Sequence, residues 1–213
     1  HAFLYGTSVF EGIRGYYNQE EDQIYAFRMK EHFERLLNSC KIMHMDPKHS
    51  VEEYMQITKD LLKKNNYRED CYIRPEVYKS ALKIGPSLLD NPDSVLIFTI
   101  KLGNYFGGEK MLNICVSNWM RLEDNTIPPR AKVSGAYANT ALMITDSKLA
   151  GFDDCISISA SGHVAEGSAM NFFIVEGNTL VTTQTTSNIL VGVTRNTIID
   201  NVPSSFKSLS SAV

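Results

Sequence analysis

Apolar and polar positions along the first hundred residues change their period, and each change marks a new element. Residues 9–17 mix β-forming side chains with two glycines and predict one strand, with a close backbone approach at Gly12. Residues 23–28 predict a second strand. The polar, acidic stretch 18–22 between them predicts the loop of a hairpin. The chain is therefore expected to open with an antiparallel pair of strands.

Helical spacing replaces this alternation in the next segment. Apolar residues recur every three or four positions from Phe33 to Met43 and again from Val51 to Leu62. Asn65-Asn66 predicts the end of the second helix. Strands are expected at 71–78 and 95–100, and the apolar run of the second predicts that it is buried. The order ββααββ is typical of an α+β layer domain.

A glycine-containing stretch after these strands predicts a linker between two domains. We expect a small α+β domain at 1–103, the linker at 104–110 and a large cofactor-binding domain at 111–213. The elements expected in the second domain are strands at 112–117, 155–159, 172–175 and 180–182, a helix at 138–149, and a last helix that begins near Gly192.

Composition and charge narrow the classes of function. The chain has 213 residues, 43% of them hydrophobic, which is enough for a sizeable core. A net charge of -3 without a basic run argues against nucleic acid as a partner. No apolar run approaches the length needed to cross a bilayer, so no membrane partner is expected.

The cysteines and histidines argue against disulfides and metals. The four cysteines, Cys40, Cys71, Cys115 and Cys155, are widely spaced and form no CxxC pair. Reduced thiols in a cytoplasmic protein are expected, with an organelle as the alternative. Cys40 and His44 lie four residues apart on a predicted helix, but two ligands alone favour core packing over a metal site. We therefore expect no metal.

Lys132 has the most specific chemical setting in the chain. It is the only lysine between Lys110 and Lys148 and follows the proline-containing stretch 125–130. A lysine in such a place is either a solvated charge or a nucleophile for a carbonyl group. An amine forms a Schiff base only in its neutral form, and so requires a pocket that lowers its pKa. Glu166, among small residues before an apolar strand, provides a lone carboxylate further along.

These residues match the needs of a pyridoxal phosphate site. That cofactor needs an amine for its aldehyde, a carboxylate for its pyridine nitrogen, a donor near its phenolic oxygen and an anion site for its phosphate. Lys132, Glu166 and Tyr137 can supply the first three.

Two features could supply the phosphate site, and each has a simpler interpretation. Gly192-Val193-Thr194 at a helix start offers N–H groups and a hydroxyl, but it could be an ordinary N-cap. Arg35 could add a fixed positive charge. It could equally lie on a solvated helix face, since Glu31 is four residues away.

Seven motifs occur together over roughly residues 1–200: Tyr5–Arg14, Glu31–Leu36, Tyr72–Pro75, Asn125–Pro128, Lys132–Tyr137, Glu166-Gly167 with Asn171, and Gly192–Arg195. In this order and spacing, the chain resembles the branched-chain amino acid aminotransferases of the fold-type IV pyridoxal phosphate enzymes. The resemblance implies an α+β fold of two domains, a small α/β sandwich domain and a larger barrel-like α/β domain, with the cofactor between them. Since the family is longer at the C-terminus, it also implies a C-terminally incomplete chain.

The resemblance also implies a role for individual residues. Lys132 corresponds to the Schiff-base lysine, which also moves a proton between the substrate's α-carbon and the cofactor. Glu166 corresponds to the partner of the pyridine nitrogen, and Tyr137 to that of the phenolic oxygen. The residues corresponding to the phosphate cup are Arg35, Val193 and Thr194, and those corresponding to the substrate pocket are Tyr5, Phe10, Tyr72, Arg74 and Tyr105. Arg74 would pair with the side-chain carboxylate of glutamate, unless it is a strand arginine facing solvent.

The implied reaction is a ping-pong transamination between leucine, isoleucine or valine and 2-oxoglutarate. A homodimer is implied as well, because the residue at the position of Tyr5 often serves the neighbouring subunit. Within the same fold, a D-amino acid aminotransferase or an aminodeoxychorismate lyase stays open, as does a non-catalytic remnant that acts as an interaction subunit. We expect little or no activity from the 213-residue chain alone, because an incomplete large domain would expose its site and its apolar surfaces to water.

Overall fold

A computed structural model describes residues 1–103 and 111–202 in full, and the backbone alone of Ser208–Ala212. The chain divides into two compact units. The first comprises His1–Lys110 and Ala131–Gly135, and the second comprises Met111–Arg130 and Ala136–Val213. Residues 104–110, the expected linker, lie outside the described residues, and the expected domain limits stay predictions. The segment that carries Lys132 belongs to the first unit.

The first unit is built on a five-stranded antiparallel sheet. Its elements are α1 (Ala2–Tyr5), β1 (Ser8–Phe10), β2 (Ile13–Asn18), β3 (Gln23–Ala26), α2 (Met29–Ile42), α3 (Val51–Asn65), β4 (Cys71–Lys79) and β5 (Asp93–Lys101). β4 pairs with β5 along its whole length, and β1 and β2 follow one another along its other edge. The predicted hairpin is confirmed, since Asn18 pairs with Gln23.

The prediction of a single strand over 9–17 is wrong. Glu11 and Gly12 interrupt it, so that β1 and β2 are separate strands. The predicted close backbone approach at Gly12 is wrong as well, because its nearest neighbour is a side chain. A Cβ at Gly12 would lie 2.6 Å from the hydroxyl oxygen of Tyr72. The interruption turns Glu11 into the interior, where it is fully buried.

The two long helices of the first unit, α2 and α3, contribute to its core. α2 contacts α3 and β1, and α3 contacts β5. The rings of Phe33 and Tyr54 stack between the helices with centroids 5.1 Å apart. α3 begins with a capping box, in which Ser50 accepts from the Glu53 amide and the Glu53 carboxylate accepts from the Ser50 amide. It ends at Asn65, as predicted, because Asn66 adopts a left-handed conformation.

The prediction that strand 95–100 is buried is wrong, because none of its residues is fully buried and one face is exposed. Leu96, Phe98 and Ile100 are 47%, 38% and 46% exposed. β5 pairs only with β4 among the described strands, and α3 contacts it. An apolar run does not distinguish a strand covered on both faces from a strand covered on one.

The second unit contains two three-stranded sheets. Its elements are β6 (Ile114–Val116), α4 (Tyr137–Leu149), β7 (Asp154–Ile158), β8 (Val164–Gly167), β9 (Phe173–Glu176), β10 (Thr179–Thr183), α5 (Val193–Asp200) and β11 (Ser208–Ala212). β6 and β7 are parallel, and α4 is the crossover between them and packs on β7. β8 is antiparallel to β7. The other sheet has the order β11-β10-β9, and β11 was not predicted from the sequence.

Both units mix helices with strands, so the predicted α+β class is confirmed. In residues 1–103 and 111–202, no helix combines the length and the apolar character that a bilayer crossing requires.

Candidate functional site

The backbone of Lys132 is held from two sides within the first unit. Its N–H donates to the Oγ of Ser39 at 3.1 Å, and its carbonyl oxygen accepts from the N–H of Phe10 at 3.1 Å. Val133 forms an antiparallel bridge with Val9 of β1. The segment around Lys132 therefore runs along β1 and contacts α2, although the three elements are far apart in sequence.

The amine of Lys132 lies beside an aromatic ring that an arginine also contacts. The Nζ is 4.8 Å from the ring centre of Phe10, and the guanidinium carbon of Arg74 is 4.1 Å from the same centre. Arg74 Nε donates to the hydroxyl of Tyr72 at 2.9 Å. The structure thus brings together four of the predicted site residues. The alternative of a solvent-facing Arg74 is wrong, because this side chain packs on Phe10 and bonds to Tyr72.

Two glycines allow the segment before α4 to lie against the start of the chain. Gly6 ends α1 with a φ of 65°, and a Cβ there would lie 2.6 Å from the Cα of Gly135. The Gly135 N–H donates to the Gly6 carbonyl at 3.1 Å. Tyr5 is the last residue of α1, and its hydroxyl accepts from the Gly85 N–H at 2.9 Å. Any side chain at Gly6 or Gly135 would disturb this approach.

Arg35 is paired with a buried carboxylate, not with its neighbour on the helix surface. Its Nε and Nη2 donate to the two oxygens of Glu11 at 2.6 and 2.7 Å. His32 Nδ1, one turn earlier on α2, lies 2.8 Å from Oε2 of the same carboxylate. The alternative in which Glu31 accompanies Arg35 on a solvated face is wrong, since Glu31 pairs with Arg28 at 2.7 Å.

The environment of Glu11 keeps its carboxylate ionised. Burial by itself would raise its pKa, but hydrogen bonds and positive charge from Arg35 and His32 outweigh burial and lower the pKa from 4.5 to about 2. The Arg35 guanidinium is therefore fixed by a bidentate contact to an anion that persists at any pH near neutral.

Glu166 of β8 is the buried carboxylate of the second unit. Its side chain is 6% exposed, and Arg121 Nη2 lies 2.6 Å from its Oε1. Its Oε2 accepts from Asn171 Nδ2 at 3.0 Å and from the Leu190 N–H at 3.2 Å. One charged donor and two neutral donors on two oxygens are a suitable setting for a carboxylate anion.

The same asparagine connects Glu166 with the start of α5. Asn171 Nδ2 also donates to the carbonyl of Leu190 at 2.9 Å, and a Cβ at Gly192 would overlap with the Asn171 Oδ1. Gly192 is the N-cap residue of α5 and provides no side-chain hydrogen bond to it. The simpler interpretation as an ordinary N-cap is therefore consistent with the structure, and the phosphate role stays a prediction. The amide groups at Val193 and Thr194 begin a helix whose positive dipole end has no side-chain cap.

The two remaining predicted residues have different outcomes. Tyr137 is half-buried and opens α4, directly after a 3₁₀ turn at Ser134–Ala136. Thr140, one turn later, donates to the Ser168 carbonyl just beyond β8. Tyr105 lies outside the described residues.

Four residues that contact the predicted ones have no role predicted from the sequence: Glu11, His32, Ser39 and Arg121. One signal was available, because His32 and Arg35 share a face of α2 at a spacing of three. The partners of Ser39 and Arg121 are remote in sequence, so only the fold reveals them.

Metal ligation has no support in the parts of the chain that the structure describes. No three histidine, cysteine or acidic side chains there form a group that could hold a metal ion. Cys40 is fully buried, and burial raises the pKa of its thiol to about 12. His44 lies beyond the end of α2 and is exposed.

Both the sequence and the fold are similar to those of known proteins. Residues 8–209 match the family model described as amino-transferase class IV. A probable branched-chain-amino-acid aminotransferase from Aquifex aeolicus is 43% identical over 199 residues, covering 93% of this chain and 64% of that protein. A protein of the same description from Synechocystis is 36% identical, covering 93% and 65%. The chain thus spans about 64% of the length of these curated relatives.

Solved structures agree with these relatives. A branched-chain aminotransferase from Thermoproteus uzoniensis, determined with norvaline, superposes with a TM-score of 0.92 at 36% identity, covering 98% of this chain and 69% of that chain. A branched-chain amino acid aminotransferase from Thermobaculum terrenum in its PLP-form has a TM-score of 0.92 at 31% identity, covering 99% and 69%. The family expected from the seven motifs is confirmed by both comparisons. The chain belongs to the class IV aminotransferase family.

Proposed function

We propose that this protein transfers the amino group of leucine, isoleucine or valine to 2-oxoglutarate, with pyridoxal phosphate as cofactor. The net reaction converts the amino acid into its 2-oxo acid and 2-oxoglutarate into glutamate. The descriptions of the relatives support this choice of substrates. The observation that carries it is the position of the Arg74 guanidinium over the ring of Phe10.

This pairing suits an enzyme that accepts two unlike side chains in turn. The aromatic surfaces of Phe10 and Tyr72 can contact an aliphatic side chain. The Arg74 guanidinium, oriented by its bond to the Tyr72 hydroxyl, can pair with the side-chain carboxylate of glutamate or 2-oxoglutarate. We assign Tyr5 and Tyr105 to the same pocket by resemblance to the family.

The described residues fit the proposed cofactor. The buried Glu166 carboxylate, already held by three donors, is suited to accept a further bond from a protonated ring nitrogen. The start of α5 has backbone amides without a side-chain cap, which suits a phosphate group. Gly192 lets Asn171 pack directly against this backbone, since a side chain there would overlap with Asn171.

Each residue then has a distinct proposed task. When bound, pyridoxal phosphate supplies an aldehyde for an amine and a ring that takes up electrons from the substrate's α-carbon. Lys132 would hold the aldehyde carbon and then move a proton to and from the α-carbon. Tyr137 would bond to the phenolic oxygen. The phosphate would be bound by Arg35, Val193 and Thr194.

The organisation of the whole protein is proposed on the resemblance alone. We expect a homodimer, a small domain at 1–103, a linker at 104–110 and a large domain at 111–213. A cytoplasmic location, with an organelle as the alternative, stays a prediction. Light scattering coupled to size exclusion tests the dimer directly, and a monomer at micromolar concentration would contradict it.

The test of function starts with cofactor uptake. The 213-residue chain is mixed with pyridoxal phosphate, and the absorbance band of the lysine-bound cofactor is recorded, followed by borohydride reduction and peptide mass analysis. We expect the label on Lys132 and no band in Lys132→Ala. Uptake that persists unchanged in Lys132→Ala, or a label on another lysine, would contradict the assignment.

Substrate choice is tested with the protein encoded by the complete open reading frame around residues 1–213 and, in parallel, with the 213-residue chain. L-Leucine, D-alanine and aminodeoxychorismate are compared, and turnover of L-leucine alone supports the proposal. Preference for either of the other two would identify another member of the same fold. Arg74→Met should raise the KM for 2-oxoglutarate at least about tenfold and that for leucine less than about threefold. The matched control is Arg68→Met, which removes an exposed arginine paired with Asp22.

A further inference from the structure

Ser39 has an unusual position for a serine in the middle of a helix. It is fully buried in α2, and its hydroxyl donates to the carbonyl of Arg35, one turn earlier, at 3.0 Å. A hydroxyl has a single proton, and here that proton is used within the helix. The second bond of the Ser39 hydroxyl, to the N–H of Lys132 at 3.1 Å, is therefore one in which Ser39 accepts.

This bond is one of two hydrogen bonds that hold the backbone of Lys132. On the other side, the Lys132 carbonyl accepts from the Phe10 N–H at 3.1 Å. The flanking residues, Ala131 and Val133, are each 3% exposed, so Lys132 lies between two buried positions.

We propose that Ser39 is a positioning residue for Lys132, which it fixes through the backbone so that the amine stays beside the ring of Phe10. This inference rests on the proposed function, in which the amine must reach the cofactor aldehyde and the substrate's α-carbon. Small displacements of a reacting group cost large factors in rate and equilibrium.

The helix that carries Ser39 also carries the cation assigned to the phosphate. Arg35 lies one turn before Ser39, and its guanidinium is held by the buried Glu11. One rigid helix would therefore set the position of the amine and of the phosphate-binding charge relative to each other. A residue on a loop in place of Ser39 would not fix the amine and the phosphate-binding charge relative to each other.

Removal of the hydroxyl gives a defined effect. Ser39→Ala removes the acceptor that Ser39 offers to the N–H of Lys132. Ser39→Cys weakens this bond with less change in volume, because a thiol is a poor acceptor. The chain offers a matched control in Ser147, which is 3% exposed in α4 and donates to the Met143 carbonyl, one turn earlier, at 2.8 Å. Ser147→Ala removes the same type of hydroxyl from the second unit.

The first measurement needs no cofactor. Hydrogen–deuterium exchange of the Lys132 amide is followed at residue resolution in the unsubstituted chain and in the three variants. We expect exchange to be about tenfold faster in Ser39→Ala and Ser39→Cys, and unchanged in Ser147→Ala. Equal exchange in all four proteins would overturn the proposal. If circular dichroism shows that Ser39→Ala is unfolded, Ser39→Cys decides the comparison.

The second measurement distinguishes positioning of the lysine from general support of the fold. The affinity for pyridoxal phosphate is measured for Ser39→Ala in the natural background and in a Lys132→Ala background. We expect about a tenfold loss in the first and less than a twofold loss in the second, because the hydroxyl acts through Lys132. Equal losses in both backgrounds would overturn the positioning role.

Failure of this inference is distinguishable from failure of the proposed function. An unsubstituted chain that protects its Lys132 amide but never binds the cofactor would refute the proposed function, and the role of Ser39 with it. If the unsubstituted chain binds the cofactor and the Ser39→Ala variant binds it with the same affinity, only the role of Ser39 is refuted.

Discussion

Glu11 and Glu166 are both buried glutamates paired with an arginine, but they are held in different ways. Glu11 is bound by Arg35 and His32, which lie on one face of α2. Glu166 is bound by Arg121 and two neutral donors, which come from three separate segments of the second unit. Formation of one helix therefore brings the donors of Glu11 together. The donors of Glu166 come together only when the loops around β8 are in place.

This difference predicts different tasks. Three bonds from two side chains that can carry positive charge make the Glu11 cluster a stabilising contact, which fixes Arg35 at the same time. The described donors of Glu166 include two neutral groups beside Arg121, and this mixed setting suits a carboxylate that also serves a cofactor. Substitutions around the two carboxylates should therefore have different costs.

The largest effect is expected from Glu11→Gln. The substitution leaves the guanidinium of Arg35, whose side chain is 15% exposed, without its anion. Loss of one partner of a buried ion pair costs about 3–5 kcal/mol. Urea denaturation followed by circular dichroism should show a decrease of this size in the free energy of unfolding. Glu31→Gln is the control on the same helix, because its pair with Arg28 is partly exposed and should change stability by about 0.5 kcal/mol or less.

Acid should remove a similar contribution, since the folded pKa of Glu11 is about 2 and the ordinary value is 4.5. A group with a lowered folded pKa stabilises the protein above its unfolded pKa and loses this contribution as the pH falls toward its folded pKa. The stability difference between the unsubstituted chain and Glu11→Gln should therefore shrink by about 3 kcal/mol between pH 5 and pH 2. A difference that stays constant across this range would contradict the ionised state of Glu11.

A smaller loss is expected when Glu166 loses its arginine. Arg121→Met leaves the bonds from Asn171 and the Leu190 amide in place, so we expect a cost of about 2 kcal/mol. Fluorescence of Trp119, the single tryptophan of the chain, follows urea unfolding in the same unit. Arg130→Met is the control, because its pair with Asp124 is exposed on both sides. A loss as large as that in Glu11→Gln would remove the proposed difference between the two carboxylates.

The two carboxylates also show how far the sequence could lead. Helical spacing predicted α2 and α3, and the ordered motifs predicted the family and the residues with assigned roles. Glu11 lies within one of the motifs, but the sequence predicts a continuous strand that includes it. Nothing local shows that the chain turns there. The exposed face of β5 was missed for a related reason, since local pattern does not say which faces of a sheet are covered.

Contacts between remote segments explain the other omissions. Ser39 and Arg121 carry no signal in their own neighbourhoods, because their partners, Lys132 and Glu166, are reached only through the fold. A serine in a helix is commonly explained by exposure, and an arginine in a loop by solvation. Three-dimensional contacts are needed to reverse these default interpretations.

The smallest effect is expected from substitution of Asn171, which donates to the Glu166 carboxylate. Asn171→Ala removes one bond to the carboxylate and one to the Leu190 carbonyl, and should cost about 1–2 kcal/mol. Gly192→Ala alone should cost more than an ordinary glycine substitution, because the added Cβ overlaps with the Asn171 Oδ1 while the backbone φ of -72° is permissible for alanine.

In the double variant this overlap no longer exists, so the two costs should not add. Urea denaturation of both single variants and the double variant gives the coupling, and we expect the double variant to be more stable than the sum of the single losses by about 1 kcal/mol. Strictly additive losses would mean that Asn171 does not connect Glu166 to the start of α5. In that case the carboxylate and the helix assigned to the phosphate would be held independently of each other.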